Sequence, residues 1–246
     1  MKKLKIILIP LLLTMFMACK TANYGACEPD NEIPILVSNA ERGDIEAACR
    51  LRWHYAYCEE DKKQAAYWLR KGVTFGDAES QLDLSYILLK QNLAPSTKDI
   101  AEGMELLKKA AEQDHHIAQT VLGDYFRDGK FVPADWKQSE YWYRRSANNG
   151  DTSGMKKLTD LLTRKSNNLS ALIESYKWSV ILTYRTGTYY SQFVKRQQDT
   201  INEKAEKLKI NVSLLKRKAE AQAGIDNKRI PHYVPESPTC KKNAKN

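Results

Sequence analysis

The chain has 246 residues, of which 42% are hydrophobic, and it carries a formal net charge of +9. This length suits one ordinary domain or one array of short repeats. The positive charge is compatible with an acidic partner or with anionic lipid headgroups and does not distinguish them. Basic residues form no stripe interleaved with aromatic residues, which argues against nucleic-acid binding.

Residues 1–18 have the pattern of an export signal. Three lysines precede an apolar run, Ile6 to Met17, which is shorter than the ~20 residues that a helix needs to cross a bilayer. We therefore exclude this segment from the fold. Its removal takes away three lysines and no acidic residue, so the formal charge falls from +9 to +6.

The end of the signal, Phe16-Met17-Ala18-Cys19, resembles the lipobox of bacterial lipoproteins. The resemblance implies cleavage before Cys19 and a diacylglycerol anchor on its side chain, with plain secretion as the alternative. Lys20 follows Cys19, and no acidic residue stands there to signal retention in the inner membrane. The expected location is periplasmic, with the anchor in the outer membrane, and residues 19–32 are expected to act as a tether.

A repeat of thirty-odd residues follows the tether. Four leucines each stand eight positions after a turn residue, with steps of 33, 38 and 36 residues between copies: Gly43/Leu51, Gly76/Leu84, Asp114/Leu122 and Gly150/Leu158. A small residue follows each turn residue by four positions: Ala47, Ser80, Ala118 and Gly154. Such self-similarity is typical of repeat architectures.

A second pattern keeps nearly the same period. A small residue stands three positions before a large apolar one in Ala65/Trp68, Gly103/Leu106, Ser139/Trp142 and Ser175/Trp178. Apolar residues recur at intervals of three and four in both patterns, which predicts two amphipathic helices per repeat. Each repeat is therefore an αα-hairpin, and Trp68, Trp142 and Trp178 are expected in its core.

The array resembles the Sel-one-like repeats, which are relatives of the tetratricopeptide repeats. The resemblance is carried best by Ala118, Leu122-Gly123, Phe126 and Gly129, followed by the second helix Trp142 to Gly150. Arg52 stands where the family has glycine. The resemblance implies an all-α, right-handed superhelical solenoid over residues 33–187.

The period stops after this array. Residues 188–224 are helical in pattern and strongly charged, with an apolar stripe formed by Ile201, Ala205, Leu208, Val212, Leu215 and Ala219. A solenoid needs an end with one polar face, so we assign these residues to a C-terminal cap. Residues 225–246 contain three prolines and are expected to be a flexible tail.

Four cysteines remain once Cys19 is lipidated, which allows three pairings in an oxidising compartment. Cys49 and Cys58 would lie about 13 Å apart on one helix, beyond the roughly 7 Å that a disulfide spans. An antiparallel helix before them would bring Cys27 to Cys58, and we predict that bridge. Cys49 and Cys240 stay unassigned, and Cys49 is either a buried thiol or a half-cystine.

Motifs for metal binding, nucleophilic catalysis and phosphate binding are absent from the sequence. His115 and His116 fall at a predicted turn and are interpreted as solvated. We therefore predict no catalytic residue, no metal and no cofactor.

Residues outside the packing pattern on the first helices are the candidates for partner contact, because first helices line the concave face of such arrays. They are Trp53, His54, Tyr57, Tyr86, Asp124, Tyr125 and Asp128. Aromatic anchors ringed by charge are typical of interface hot spots.

The expected function is therefore protein binding. Lipoproteins with Sel-one-like repeats include immunity proteins against phospholipase effectors of type VI secretion, and the resemblance implies this role. The alternative is an envelope scaffold or assembly adaptor. A penicillin-binding or β-lactam-hydrolysing enzyme is a third possibility, but no residue pattern here supports it.

Overall fold

The computed structural model describes residues 27–91, 94–165 and 167–231, and every regular element within them is helical. These residues form two compact units that meet in sequence at Leu106 and Leu107. The expected signal peptide, the lipidated Cys19, most of the tether and Cys240 lie outside the described residues. No helix in the described part of the chain is long and apolar enough to cross a membrane.

Unit 1 contains four helices and the first part of a fifth. They are α1 (Ile33–Glu41), α2 (Ile45–Tyr57), α3 (Lys62–Thr74), α4 (Ala78–Tyr86) and α5 (Thr97–Glu112), and a π-helical turn, Ile87–Gln91, continues α4. The core of this unit holds Leu36, Ala40, Leu51 and Trp68 in one cluster. Leu69, Leu84 and Leu106 form another.

Unit 2 contains the rest of α5 and six further helices. They are α6 (His116–Asp128), α7 (Trp136–Asn148), α8 (Thr152–Lys165), α9 (Leu169–Thr186), α10 (Ser191–Lys207) and α11 (Val212–Arg229). Helices α6 and α7 form one hairpin and α8 and α9 the next, while α10 and α11 both pack on α9. The all-α architecture of hairpin repeats with closing helices is confirmed.

The predicted turn residues have a common backbone geometry. Gly43, Gly76, Asp114 and Gly150 all adopt positive φ angles, between 62° and 96°. This left-handed conformation suits glycine and is tolerated by aspartate, and it reverses the chain between one helix and the next. The turn position of the repeat is therefore set by backbone sterics.

The residue after each turn caps the following helix. The side chains of Asp44, Asp77, His115 and Asp151 each accept a hydrogen bond from a backbone amide three residues later, over 2.8–3.3 Å. Those amides belong to the predicted small residues, Ala47, Ser80, Ala118 and Gly154. Such caps satisfy amides that a helix start leaves unpaired. His115 is thus a helix cap, and this role replaces its interpretation as a solvated turn residue.

The three predicted core tryptophans, Trp68, Trp142 and Trp178, are buried, as expected. Small residues at the hairpin contacts let the helices approach closely. At Gly123 in α6, an added Cβ would lie 2.6 Å from two ring carbons of Tyr143 in α7. The glycine thus provides the space that the buried tyrosine ring occupies.

The closing helices differ from the sequence expectation in two places. Helix α11 continues to Arg229, five residues past the expected boundary at 224, because Ile230 is buried beside α8 and α9. Within the predicted stripe, Ile201, Ala205, Leu215 and Ala219 are fully buried, whereas Leu208 is 43% exposed. Leu208 lies beyond the last residue of α10, so its side chain does not follow the helical stripe.

Candidate partner-binding surface

The seven candidate contact residues differ in exposure. Tyr57, Tyr86 and Asp128 are exposed, while Trp53 and Asp124 are half-buried. His54 and Tyr125 are only 3% and 5% exposed. A partner cannot reach these last two side chains without rearrangement, so we exclude them from the candidate surface.

One candidate site of unit 1 is an aromatic pair at the end of α2. The rings of Trp53 and Tyr57 have centroids 4.1 Å apart, and Tyr57 is 63% exposed. The next residue, Cys58, forms a disulfide with Cys27, with Cα atoms 5.7 Å apart. This is the pairing that the helix geometry predicts. The covalent link holds the helix end that carries the aromatic pair.

His54 has a structural role beside this pair. Its Nε2 atom lies 2.8 Å from Oε1 of Glu59, which follows the disulfide in sequence. The ring is buried, and Glu59, which lies beyond the end of α2, holds it. His54 thus helps to fix the helix end while Tyr57 remains free to contact another protein.

Arg52 also lies on α2, where the family resemblance has glycine. Its side chain pairs with Asp83 on α4. Burial raises the pKa of Asp83, and the guanidinium acts against that rise. The arginine therefore joins two successive first helices through an ion pair rather than through close backbone contact.

Tyr86 ends α4, and the π-helical turn begins with the next residue, Ile87. The amine of Lys90 lies 5.3 Å from the centre of the Tyr86 ring, a cation–π contact. Tyr86 and Ile87 are both exposed. They present an apolar patch next to a positive charge.

Asp124 in unit 2 is held by neighbouring side chains. The Tyr143 hydroxyl donates to it over 2.5 Å, and Lys157 and Arg127 lie 2.9 and 3.2 Å away. Burial and the nearby carboxylate raise the pKa of Tyr143, so its hydroxyl keeps the proton that it donates. Asp124 therefore fixes several side chains on the face of α6, and these donors largely occupy its carboxylate oxygens.

Asp128 is the exposed acidic residue of this face. The Arg127 guanidinium donates to both of its oxygens, over 2.7 and 2.8 Å, and this lowers the pKa of Asp128. The carboxylate therefore stays charged under mildly acidic conditions. It is available at the end of α6 for a basic or polar partner group.

An aromatic cluster between α9 and α10 was missed by the sequence analysis. Tyr189 is 81% exposed and packs edge to face against Tyr190. The amine of Lys156 on α8 lies 5.2 and 5.4 Å from the rings of Tyr190 and Phe193. We call Lys156, Tyr189, Tyr190 and Phe193 the unit 2 aromatic cluster. In the sequence, only the Tyr-Tyr pair after Gly187 indicates this cluster, and that pair lies outside the repeat array.

One buried polar cluster contains a serine, a threonine and an aspartate, which are residue types that also occur in catalytic sites. Its role here is structural. Ser146 and Thr120 hydroxyls lie 2.8 Å apart, and both contact Oδ2 of Asp151 at 2.9 Å. All three side chains are buried. They satisfy one another where α6, α7 and α8 meet, as buried polar groups must. In the described residues, no group of three or more His, Cys, Asp or Glu side chains could hold a metal ion.

Comparison with solved structures gives relatives of the same repeat type. A Sel1 repeat protein from Oxalobacter formigenes is 27% identical, over 52% of this chain and 98% of that one, with a TM-score of 0.48. A protective antigen of uropathogenic Escherichia coli that displays an SLR fold is 20% identical, with a TM-score of 0.59. It covers 90% of this chain, which spans 48% of that protein's length. The antigen shows that the fold is shared.

Curated protein sequences give no match to this chain. The family model described as Sel1 repeat matches residues 55–73, 78–115 and 116–151. Repeats of this kind are protein–protein interaction modules. The matched segments lie in the region from α2 to α7, and these helices are therefore similar to Sel1 repeats.

Proposed function

We propose that the chain is a non-enzymatic module that binds another protein through the exposed residues of its first helices. The observation that carries this proposal is the Trp53–Tyr57 pair, of which Tyr57 is exposed, held next to a disulfide. Rigid aromatic side chains lose little entropy on binding and are enriched in interface hot spots.

The proposed location is the periplasm, with a lipid at Cys19 holding the protein at the outer membrane. The Cys27–Cys58 disulfide supports an oxidising compartment, because such bonds are rare where thiols are kept reduced. The signal-like segment and the lipobox resemblance point the same way. Metabolic labelling with a fatty acid tests the anchor: the label is expected on the wild-type chain and lost in Cys19→Ala.

The specific partner that we propose is a secreted phospholipase-type effector of type VI secretion, which the chain would neutralise as an immunity protein. We infer the immunity role from the proposed compartment and from the repeat type. We expect cells that lack the chain to be killed by siblings that deliver the effector, and purified chain to bind that effector. Full survival without the chain, together with no binding, would contradict the immunity role.

The aromatic pair can be tested directly in the complex. Tyr57→Ala is expected to weaken partner binding about tenfold or more, because truncating a hot-spot residue costs at least about 1.4 kcal/mol. Tyr67→Ala is the matched control, since Tyr67 is also exposed but lies on the second helix α3. Calorimetric titration of both variants measures the difference. Equal losses in the two variants would show that the α2 face has no special role.

An envelope adaptor is the second candidate function. The observation in its favour is the unit 2 aromatic cluster, whose Tyr189 is 81% exposed and which is separate in sequence from the Trp53–Tyr57 pair. An adaptor that joins two envelope proteins needs two such surfaces. Envelope-stress signalling on deletion, without any change in survival against siblings, would favour this function.

A further inference from the structure

One segment of unit 2 concentrates positive charge. Residues 207–218 join the end of α10 to the second turn of α11 and contain five cationic residues and no acidic one. The cations are Lys207, Lys209, Lys216, Arg217 and Lys218, and we call the segment the basic turn. All but the half-buried Lys216 are exposed.

The cations of the basic turn make no ion pair with any described residue. Some other cations of unit 2 do form ion pairs: Arg144 lies 2.7 Å from Glu140, and Lys177 lies 2.9 Å from Asp226. Because unpaired like charges repel one another, their concentration in twelve residues costs stability. An anionic partner would remove that cost.

Helix stabilisation explains only part of this charge. Lys207 ends α10, where a cation interacts favourably with the helix dipole. Lys216, Arg217 and Lys218 instead lie in the amino-terminal half of α11, and its first turn contains no acidic residue. A cation there gains nothing from the dipole, so the dipole does not account for these three residues.

Leu208 gives the basic turn an apolar tip. It is the stripe residue that remains exposed, and it lies between Lys207 and Lys209. Lys209 has a φ angle of 55°, and the amides of Lys209 and Ile210 donate to the carbonyls of Glu206 and Ala205 over 2.9 and 2.8 Å. These bonds fix the turn, and the leucine side chain is presented to solvent with a lysine on each side.

We propose that the basic turn docks on the surface of an anionic phospholipid bilayer, with Leu208 entering the headgroup region. Lysine and arginine near such a surface each contribute to binding, and an apolar side chain adds its own transfer energy. The chain contains no aromatic residue from 194 to 231. Protein hot spots favour aromatic residues, so a lysine-rich surface with a leucine tip fits lipid better than an acidic protein.

The experiment measures the binding of the chain to vesicles. The chain is used from Lys20 onward, because the apolar leader and the lipid would bind vesicles by themselves. One set of vesicles contains phosphatidylcholine alone, and the other also contains phosphatidylglycerol. We expect binding to the anionic vesicles only, and its loss in 1 M salt, where the Debye length is about 3 Å.

A matched pair of triple variants locates the surface. Lys207→Gln, Arg217→Gln and Lys218→Gln together are expected to weaken binding to the anionic vesicles about tenfold or more. Lys62→Gln, Lys63→Gln and Arg70→Gln together remove the same charge from exposed positions of α3 and should leave binding within about twofold. Leu208→Ser should weaken binding while the salt dependence stays unchanged. Circular dichroism shows whether each variant is folded.

Three outcomes would overturn this proposal. They are equal binding to neutral and anionic vesicles, no binding to either, and equal weakening by the two triple variants. No binding to either would leave an acidic protein as the ligand of the basic turn. The vesicle assay contains no partner protein, so its result is independent of the proposed function.

Discussion

Gly123→Val is expected to lower the free energy of unfolding of unit 2 by about 3 kcal/mol, because it adds volume to a filled contact. A Cβ at this position would lie 2.6 Å from Cδ1 and Cε1 of Tyr143, and that ring is fully buried. The ring cannot move without disturbing the hydrogen bond from its hydroxyl to Asp124. Because Lys157 and Arg127 also bind Asp124, we expect displacement of the Tyr143 ring to alter the side-chain contacts on the exposed face of α6 as well.

Urea denaturation followed by near-ultraviolet circular dichroism measures this loss. Gly224→Ala is the control, because Gly224 lies within α11 and an added Cβ there meets nothing within 4 Å. It should raise stability by about 0.5–1 kcal/mol, as expected when alanine replaces glycine in a helix. If Gly123→Val left the free energy of unfolding unchanged, the Tyr143 ring would have free space beside it, and α6 and α7 would not be in close contact there.

The repeat frame could be predicted from sequence because local interactions set it. A left-handed residue turns the chain, the next residue caps a helix, and a small residue follows at the first contact. Gly150, Asp151 and Gly154 show all three requirements in one copy of the repeat. Helix α2 runs unbroken from Ile45 to Tyr57, which is the condition under which Cys49 cannot reach Cys58.

The surface could be predicted only in part, because exposure depends on residues distant in sequence. Tyr125 has the spacing of an exposed first-helix residue, yet it is buried, with the Phe131 ring packed edge to face against it at 5.2 Å. Phe131 lies in the loop after α6 and has a φ angle of 67°. No repeat spacing encodes the path of that loop. The unit 2 aromatic cluster was missed for a similar reason, since Lys156 meets Tyr190 and Phe193 only after folding.

Replacing Cys27 and Cys58 together by alanine is expected to lower the stability of unit 1 by about 3–4 kcal/mol. The bridge closes a loop with a sequence separation of 31, and loss of a loop of this length restores that much chain entropy to the unfolded state. Helix α1 has nine residues and only two that are fully packed in the core, Leu36 and Ala40. It depends on the covalent link more than the longer helices do.

Hydrogen exchange distinguishes a loss of stability confined to unit 1 from a loss of stability throughout the chain. Amides of α1 and α2 should lose protection in the double variant, whereas those of α8 and α9 in unit 2 should keep it and serve as the internal control. Peptide mapping without reduction must first recover Cys27 joined to Cys58; Cys27 joined elsewhere, or free, would remove the basis of the prediction.

The Trp53–Tyr57 pair adjoins Cys58, so the same variant should bind the partner more weakly even where unit 1 remains folded. Loss of stability with unchanged partner binding would instead place the contact surface away from the end of α2.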